Sequence, residues 1–328
     1  MIRVASFNVK NLSYAAIDND SKKKRSLKGI ADLVRDYDIV VMQEVLDPKV
    51  VELLTQKINA APAFSTFFRH WRGVWVDLQP SSINYPYLGD NRHEGYAYFW
   101  NTRKVELLKD DKGIDIIPKK YSHYKVGYGA NRLLRDPGYG RFILKNRIRP
   151  VEIRVITTHI VFSNPKTKGD IDIPDLSDTK NRKREFEILA GRIYKSINEH
   201  RKEPNVNAVY TIIIGDYNLS LEGKDIPSAT VPAVCCFYSN GNRYFNIFDD
   251  DTMGINVIKT VQDEPTTIKK DCTDYANNYD HCSYDRKMEQ AIIKCYRKPV
   301  LNDKSPEEIE EYRETISDHV PIVVELRC

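Results

Sequence analysis

A chain of 328 residues, 41% hydrophobic and 29% charged, carries enough apolar material for a large core. No apolar run approaches the ~18–20 residues that span a bilayer, which sets aside a helical membrane protein. The net charge of +4 is too small to name a partner class by itself.

The opening residues, Met1-Ile2-Arg3-Val4-Ala5-Ser6-Phe7, alternate like a strand rather than a secretory signal. Two basic clusters follow, Lys22-Lys23-Lys24-Arg25 and Arg182-Lys183-Arg184, read as solvated helix starts or loops before any anion site. The six cysteines are a poor disulfide framework, since Cys235 and Cys236 are adjacent and Cys328 is last. No pair has the CxxC spacing of a zinc site. They are expected to be mostly reduced thiols in a cytoplasmic protein.

In chain order, strands are expected over Arg3–Phe7, Asp38–Met42, Gly95–Trp100, Arg141–Leu144, Val151–Thr158, Val209–Ile214, Ala291–Cys295 and Pro321–Leu326. Several are rich in Val, Ile and Thr, and some are apolar throughout, as strands buried on both faces are. Between them lie helical patterns: Leu27, Ile30, Leu33 and Val34; then Val50, Leu53, Leu54 and Ile58; then Phe186, Leu189, Ile193 and Ile197 in a helix over roughly 180–199. Loops are expected at Pro80–Arg92, Ser163–Asp178 and Gly223–Arg243, and the stretch 73–90, with Trp75, Tyr85 and Tyr87, reads as a loop too. The pattern is α/β, two packed sheets covered by helices, and one domain over 1–328 is the simplest division.

The chemistry gathers at strand ends. Ser6-Phe7-Asn8, Met42-Gln43-Glu44, Thr157-Thr158-His159, Gly215-Asp216-Tyr217-Asn218 and Ser317-Asp318-His319-Val320-Pro321 each put an acid, amide or imidazole beside an apolar run. One such residue is usually a cap or turn. Five together supply what phosphodiester hydrolysis needs: oxygen ligands for a hard cation, a base for water and an acid for the leaving oxygen.

The order and identity of these motifs resemble the DNase I-like endonuclease/exonuclease/phosphatase superfamily, from residue 3 to residue 326. The resemblance implies a four-layer α/β sandwich, two packed mixed β-sheets flanked by helices, and metal-dependent phosphoester cleavage. It is closest to the DNase I branch, where each of two histidines is oriented by a carboxylate. Glu94 then falls to His159 and Asp280 to His319. Asp216 and Asn218 would orient water and phosphoryl oxygens, and Asn8, Glu44 and Asp318 would hold the metal, Mg²⁺ or in its place Mn²⁺ or Ca²⁺. Arg135, in Arg135-Asp136-Pro137, resembles an arginine that contacts substrate phosphate. His70, His123, His200 and His281 match no motif and are read as structural.

Two positions depart from the DNase pattern. Leu46 stands where a minor-groove arginine is common, and Arg92 where a tyrosine is common; Arg92 would instead contact phosphate through its forked guanidinium. The expected partner is a nucleic acid substrate, without stable membrane association. The alternatives are a phospholipid, inositol-phosphate or sphingomyelin hydrolase on the same fold, and a non-catalytic binding module.

Overall fold

The computed structural model describes residues 1–17, 24–60, 70–78, 94–121, 133, 135–145, 147–160, 178–199, 202–220, 234–239, 242–247, 258–262, 264–285 and 288–328. In chain order the elements are β1 (Ile2–Leu12), α1 (Leu27–Val34), β2 (Ile39–Val45), α2 (Pro48–Asn59), β3 (Trp71–Asp77), β4 (Gly95–Asn101), β5 (Val105–Leu107), β6 (Lys119–Lys120), β7 (Gly138–Leu144) and β8 (Val151–His159). There follow α3 (Asp178–Ile188), a π-helical stretch Leu189–Tyr194, α4 (Lys195–Glu199), β9 (Ala208–Asp216), β10 (Val234–Ser239), β11 (Asn242–Ile247), β12 (Ile258–Val261), β13 (Asp280–Asp285), β14 (Ile292–Arg297), α5 (Pro306–Thr315) and β15 (Ile322–Leu326).

Thirteen of the strands form a six-stranded sheet, ordered β14-β15-β1-β2-β4-β3, and a seven-stranded sheet, ordered β12-β13-β9-β8-β7-β5 with β6 on β7, while β10 and β11 pair as a separate antiparallel hairpin. Both large sheets are mixed. β1 runs parallel to β2 and antiparallel to β15, and β8 runs parallel to β9 while β13 pairs β9 antiparallel. A strand sends alternate side chains to opposite faces, so each central strand feeds two cores. Ile2, Val4, Ile39, Val41, Ile153, Val155, Ile212 and Ile214 meet between the sheets. Ala5, Phe7, Val40 and Met42 pack on the other side against α1 and α2. Ile156 and Ile213 pack outward against Phe186, Leu189 and Ile193. The result is helix, sheet, sheet, helix, the four layers expected.

Local signals set the helix starts. Ser26 caps α1 by accepting from Gly29 N at 3.0 Å, and Asp47 caps α2 by accepting from Lys49 N at 2.8 Å with Pro48 in the first turn. α5 carries a full capping box, Ser305 with Glu308. Each cap contributes about 1 kcal/mol. The Ser-Pro-Glu-Glu run at 305–308 announces α5, which the apolar periodicity overlooks.

The structure corrects several expectations. Residues 73–77 are strand β3, not loop, and Trp75 donates its indole N–H to Val45 O at 3.0 Å. β10 lies inside the expected loop 223–243. The helix expected over 180–199 is helical without a gap from Asp178 to Glu199, but its middle, Leu189–Tyr194, is π-helical between α3 and α4. The basic clusters are not simply solvated. Arg25 is buried and donates to Val9 O, Lys10 O and Ile316 O, and Arg182 is buried too. The remainder of 79–93, residues 163–177, His123 and His200 lie outside the described residues. Among the described residues no helix is long and apolar enough to cross a membrane.

Candidate active site

The inter-sheet faces turn polar at one end of the sandwich. On β1 the inward series Ile2, Val4 continues as Ser6, Asn8; on β8, Ile153, Val155 continues as Thr157, His159; on β9, Ile212, Ile214 ends at Asp216. β13 begins with Asp280, on the face that carries Cys282 into the inter-sheet core. The groups named from the sequence therefore converge at the rim of one apolar core.

Two glycine and backbone features make this convergence possible. Gly215 pairs with Thr158 across the parallel β8–β9 ladder. A Cβ there would stand 2.1 Å from Thr158 O, so only glycine lets Asp216 sit beside His159. Glu44 follows the inward Gln43 and would point outward by simple alternation. Its backbone is left-handed, with φ of 59°, and the β2–β4 register shifts between Met42 and Val45. This turn brings Glu44 to the site as well, at a conformational cost of about 1–3 kcal/mol. Asn11 N, donating to Glu44 Oε2 at 2.9 Å, helps hold it.

Asp216 is the centre. Its Oδ2 accepts from Asn8 Nδ2 at 2.9 Å and lies 3.8 Å from both His159 Nε2 and His319 Nε2. Each imidazole is held from behind. His159 Nδ1 is 2.6 Å from Glu94 Oε1, and His319 Nδ1 is 2.9 Å from Asp280 Oδ2. A carboxylate on Nδ1 fixes the tautomer and ring direction, leaving Nε2 aimed at Asp216. Asn218 donates its amide to Ile160 O at 2.8 Å, while its backbone N–H reaches Asp216 Oδ1 at 2.9 Å.

These neighbours set the protonation states. Burial pulls the His319 imidazole down, but the Asp280 carboxylate, with Asp216 and Asp318, outweighs it and pushes the group up to about 10. His159 is likewise raised: burial and Arg135 oppose, and Glu94 prevails. Burial and the neighbouring Asp280 raise the Asp216 carboxyl above its ordinary value. Glu94 is held low against its burial by His159 and Arg135. Asp318 is held low against its burial by His319 and Lys10.

The remaining groups named from the sequence are placed as follows. Asn8 Nδ2 also donates to Glu44 Oε1 at 2.9 Å, and its Oδ1 accepts from Lys10 N at 2.9 Å, so the amide ties Glu44 to Asp216. Asp318 Oδ2 faces Lys10 Nζ at 2.5 Å. Arg135 is engaged within the protein: Nη2 is 2.6 Å from Glu94 Oε2, and Nη1 donates to His159 O at 3.4 Å. Arg92 lies outside the described residues. His281 is buried with its ring nitrogens on Gln262 O, Leu219 O and Asn278 O, a structural setting, and it points away from the Asp280–His319 pair.

Sequence reasoning missed four supports. Lys10 faces Asp318, and counting two residues on from Asn8 would have flagged it. Tyr96 OH accepts from His159 N at 3.1 Å. Ser317 Oγ donates to Asn8 O at 2.7 Å and accepts from His319 N at 3.1 Å. Arg25, buried behind β1 and Ile316, ties together the two segments that carry Lys10 and Asp318.

Around Asp216 stand the carboxylates of Glu44, Asp280 and Asp318, the Asn8 amide and the imidazoles of His159 and His319. Asp216, Asp280 and His319 offer ligand atoms within 4.8 Å of one another. Asp280 Oδ1 is buried with no hydrogen-bond partner among the described residues. Glu44 and Asp318 stay 17% and 26% exposed at the mouth. Such a set fits a hard divalent cation.

No family model and no curated protein sequence matches the chain. Solved structures do. An endonuclease/exonuclease/phosphatase from Bacteroides vulgatus superposes with a TM-score of 0.54 at 14% identity, covering 99% of this chain and 98% of that one. The chain has the endonuclease/exonuclease/phosphatase fold. A mannosyl-6-phosphatase from Bacteroides thetaiotaomicron shares that fold, with a TM-score of 0.53, 16% identity and 100% of both chains covered. So does a humanized D. rerio TDP2, with a TM-score of 0.50, 11% identity, and 100% of this chain and 99% of that one covered. Within the endonuclease/exonuclease/phosphatase fold of this chain, the site lies at the polar rim of the inter-sheet core, where both sheets contribute.

Proposed function

We propose that this chain is a divalent-metal-dependent phosphodiesterase, acting as one catalytic unit over 1–328, of the DNase I branch, with nucleic acid as its substrate. The observation that carries the reading is Asp216 Oδ2 standing 3.8 Å from the Nε2 atoms of two imidazoles, each backed by its own carboxylate. Phosphodiester hydrolysis needs proton donors and acceptors on both sides of one phosphorus, and this symmetry supplies them.

Glu44 and Asp318, at the mouth, are the residues that would hold the metal, with Asn8 bracing Glu44. Mg²⁺ is the cation proposed, with Mn²⁺ or Ca²⁺ as substitutes. When bound, it supplies charge neutralisation at the phosphoryl oxygens. Asp216 accepts a hydrogen bond from the attacking water and directs it, with the Asn218 amide beside it. Of His159 and His319, one enters the step neutral and takes the proton of that water at Nε2, while the other, an imidazolium, gives its Nε2 proton to the departing oxygen and steadies the crowded phosphorus. Glu94 and Asp280 keep both rings aimed. Arg135 acts through Glu94.

A substrate screen tests the reaction class: plasmid DNA, single-stranded DNA, RNA, sphingomyelin and inositol phosphates, each with Mg²⁺ or Mn²⁺ and with EDTA. Cleavage of a nucleic acid, abolished by EDTA, is the expected result. Hydrolysis confined to a lipid or inositol phosphate would move the substrate elsewhere on the same chemistry. Binding without hydrolysis would leave a binding module. For a nucleic acid, log affinity of a His319→Ala variant falls linearly with log salt, by about 0.7–0.9 per phosphate contacted. A flat response would remove nucleic acid as the ligand.

A further inference from the structure

Between the apolar core and the charged rim lies a rung of neutral polar groups. Ser6, Gln43 and Thr157 occupy it, each 0% exposed, on β1, β2 and β8. Gln43 uses both amide hydrogens: Nε2 donates to Ser6 Oγ at 2.9 Å and to Thr157 Oγ1 at 2.7 Å. Ser6 and Gln43 belong to the six-stranded sheet and Thr157 to the seven-stranded one. The carboxamide therefore crosses the gap between sheets. Its Oε1 is buried with no hydrogen-bond partner among the described residues.

An apolar side chain of similar volume would fill this place without burying an amide, whose unpaired end costs free energy. A hydrogen-bonded amide adds what packing lacks, a fixed distance and direction. The neighbours show what that distance controls. Gln43 is the Cα partner of Asn8 and precedes Glu44. Thr157 lies two residues before His159 on the same face of β8. Directly above the rung, Glu44 Oε1 and His159 Nε2 face each other across 3.7 Å, one from each sheet.

We propose that Gln43 is a positioning residue, a strut whose amide fixes the sheet-to-sheet spacing beneath the site and so the separation of Glu44 and Asn8 from His159 and Asp216. The kinetic part of its test rests on the phosphodiesterase reading; the structural part does not.

Gln43→Met keeps length and volume and removes both donors. It is expected to fold, to lower kcat roughly 10–100-fold with KM nearly unchanged, and to widen the Glu44–His159 gap by about 0.5 Å or more in crystal structures of the metal-free proteins. Gln43→Asn, one methylene too short to reach both hydroxyls, should behave alike. Thr157→Val cuts the strut from the other sheet, and the double variant with Gln43→Met should be little worse than either single. A Gln43→Met protein with wild-type kcat and an unmoved gap, only less stable to heat, would overturn the strut and leave an ordinary core amide. Should Gln43→Met fail to fold, Thr157→Val decides by the same two readouts. Should wild type hydrolyse nothing, the phosphodiesterase reading fails alone, and the gap measurement still decides whether Gln43 sets the spacing.

Discussion

Arg135 and Glu94 form a nearly buried ion pair, Nη2 to Oε2 at 2.6 Å, with side chains 14% and 8% exposed. The other Glu94 oxygen holds His159. The guanidinium expected on substrate phosphate is thus spent on the acid that aims the histidine. Arg135→Met should lower kcat, with little change in KM, and should be non-additive with Glu94→Gln because both act on one imidazole. A rise in KM at unchanged kcat would return Arg135 to direct phosphate binding. Steady-state kinetics on the substrate found by the screen separates the two.

Asp280→Asn should cost nearly as much activity as His319→Ala, on the order of 10²–10⁴-fold, because the unanchored ring loses its tautomer and aim. The double variant should be little worse than His319→Ala alone. Full additivity, with folding verified by circular dichroism, would reduce Asp280 to a strand-end residue.

If Glu44 is the metal ligand proposed, Glu44→Gln keeps the side-chain shape and removes its charge at the mouth of the site. Half-maximal activity should then require far more Mg²⁺, with turnover strongly reduced at any fixed concentration. A titration of rate against Mg²⁺ that overlays the wild-type curve would rule out Glu44 as a ligand.

The metal-free protein should lose stability as pH rises from about 6.5 to about 10. His319 is pushed up to about 10 in the folded chain, from an unfolded value of about 6.5. A folded-state value above the unfolded one means the stabilisation is complete below about 6.5 and is lost as pH climbs through the folded value. His159, raised in the same direction, adds to the slope. Thermal unfolding followed across this window in EDTA should show the decline, and His319→Gln should flatten it. Equal slopes for the two proteins would show that Asp280 does not hold His319 charged.

What the sequence determined by itself is local and periodic. Apolar alternation and short Val-, Ile- and Thr-rich runs located the eight strands expected from them, among them β1, β2, β8, β9 and β15, because strand pattern and burial are written in neighbouring residues. The polar strand ends, with Asp216 after Gly215 and His319 after Asp318, were legible for the same reason. Loop composition misled at β3 and β10, since edge and hairpin strands need no long apolar run. The tertiary structure alone decided the rest. Glu44 reaches the site only because a left-handed backbone reverses its alternation. Arg135 turns inward only because Glu94 and His159 meet across 65 residues of chain. Asn8 braces Asp216 across 208 residues and Lys10 meets Asp318 across 308. Such contacts depend on how two sheets stack, and no short-range pattern records the distance between them.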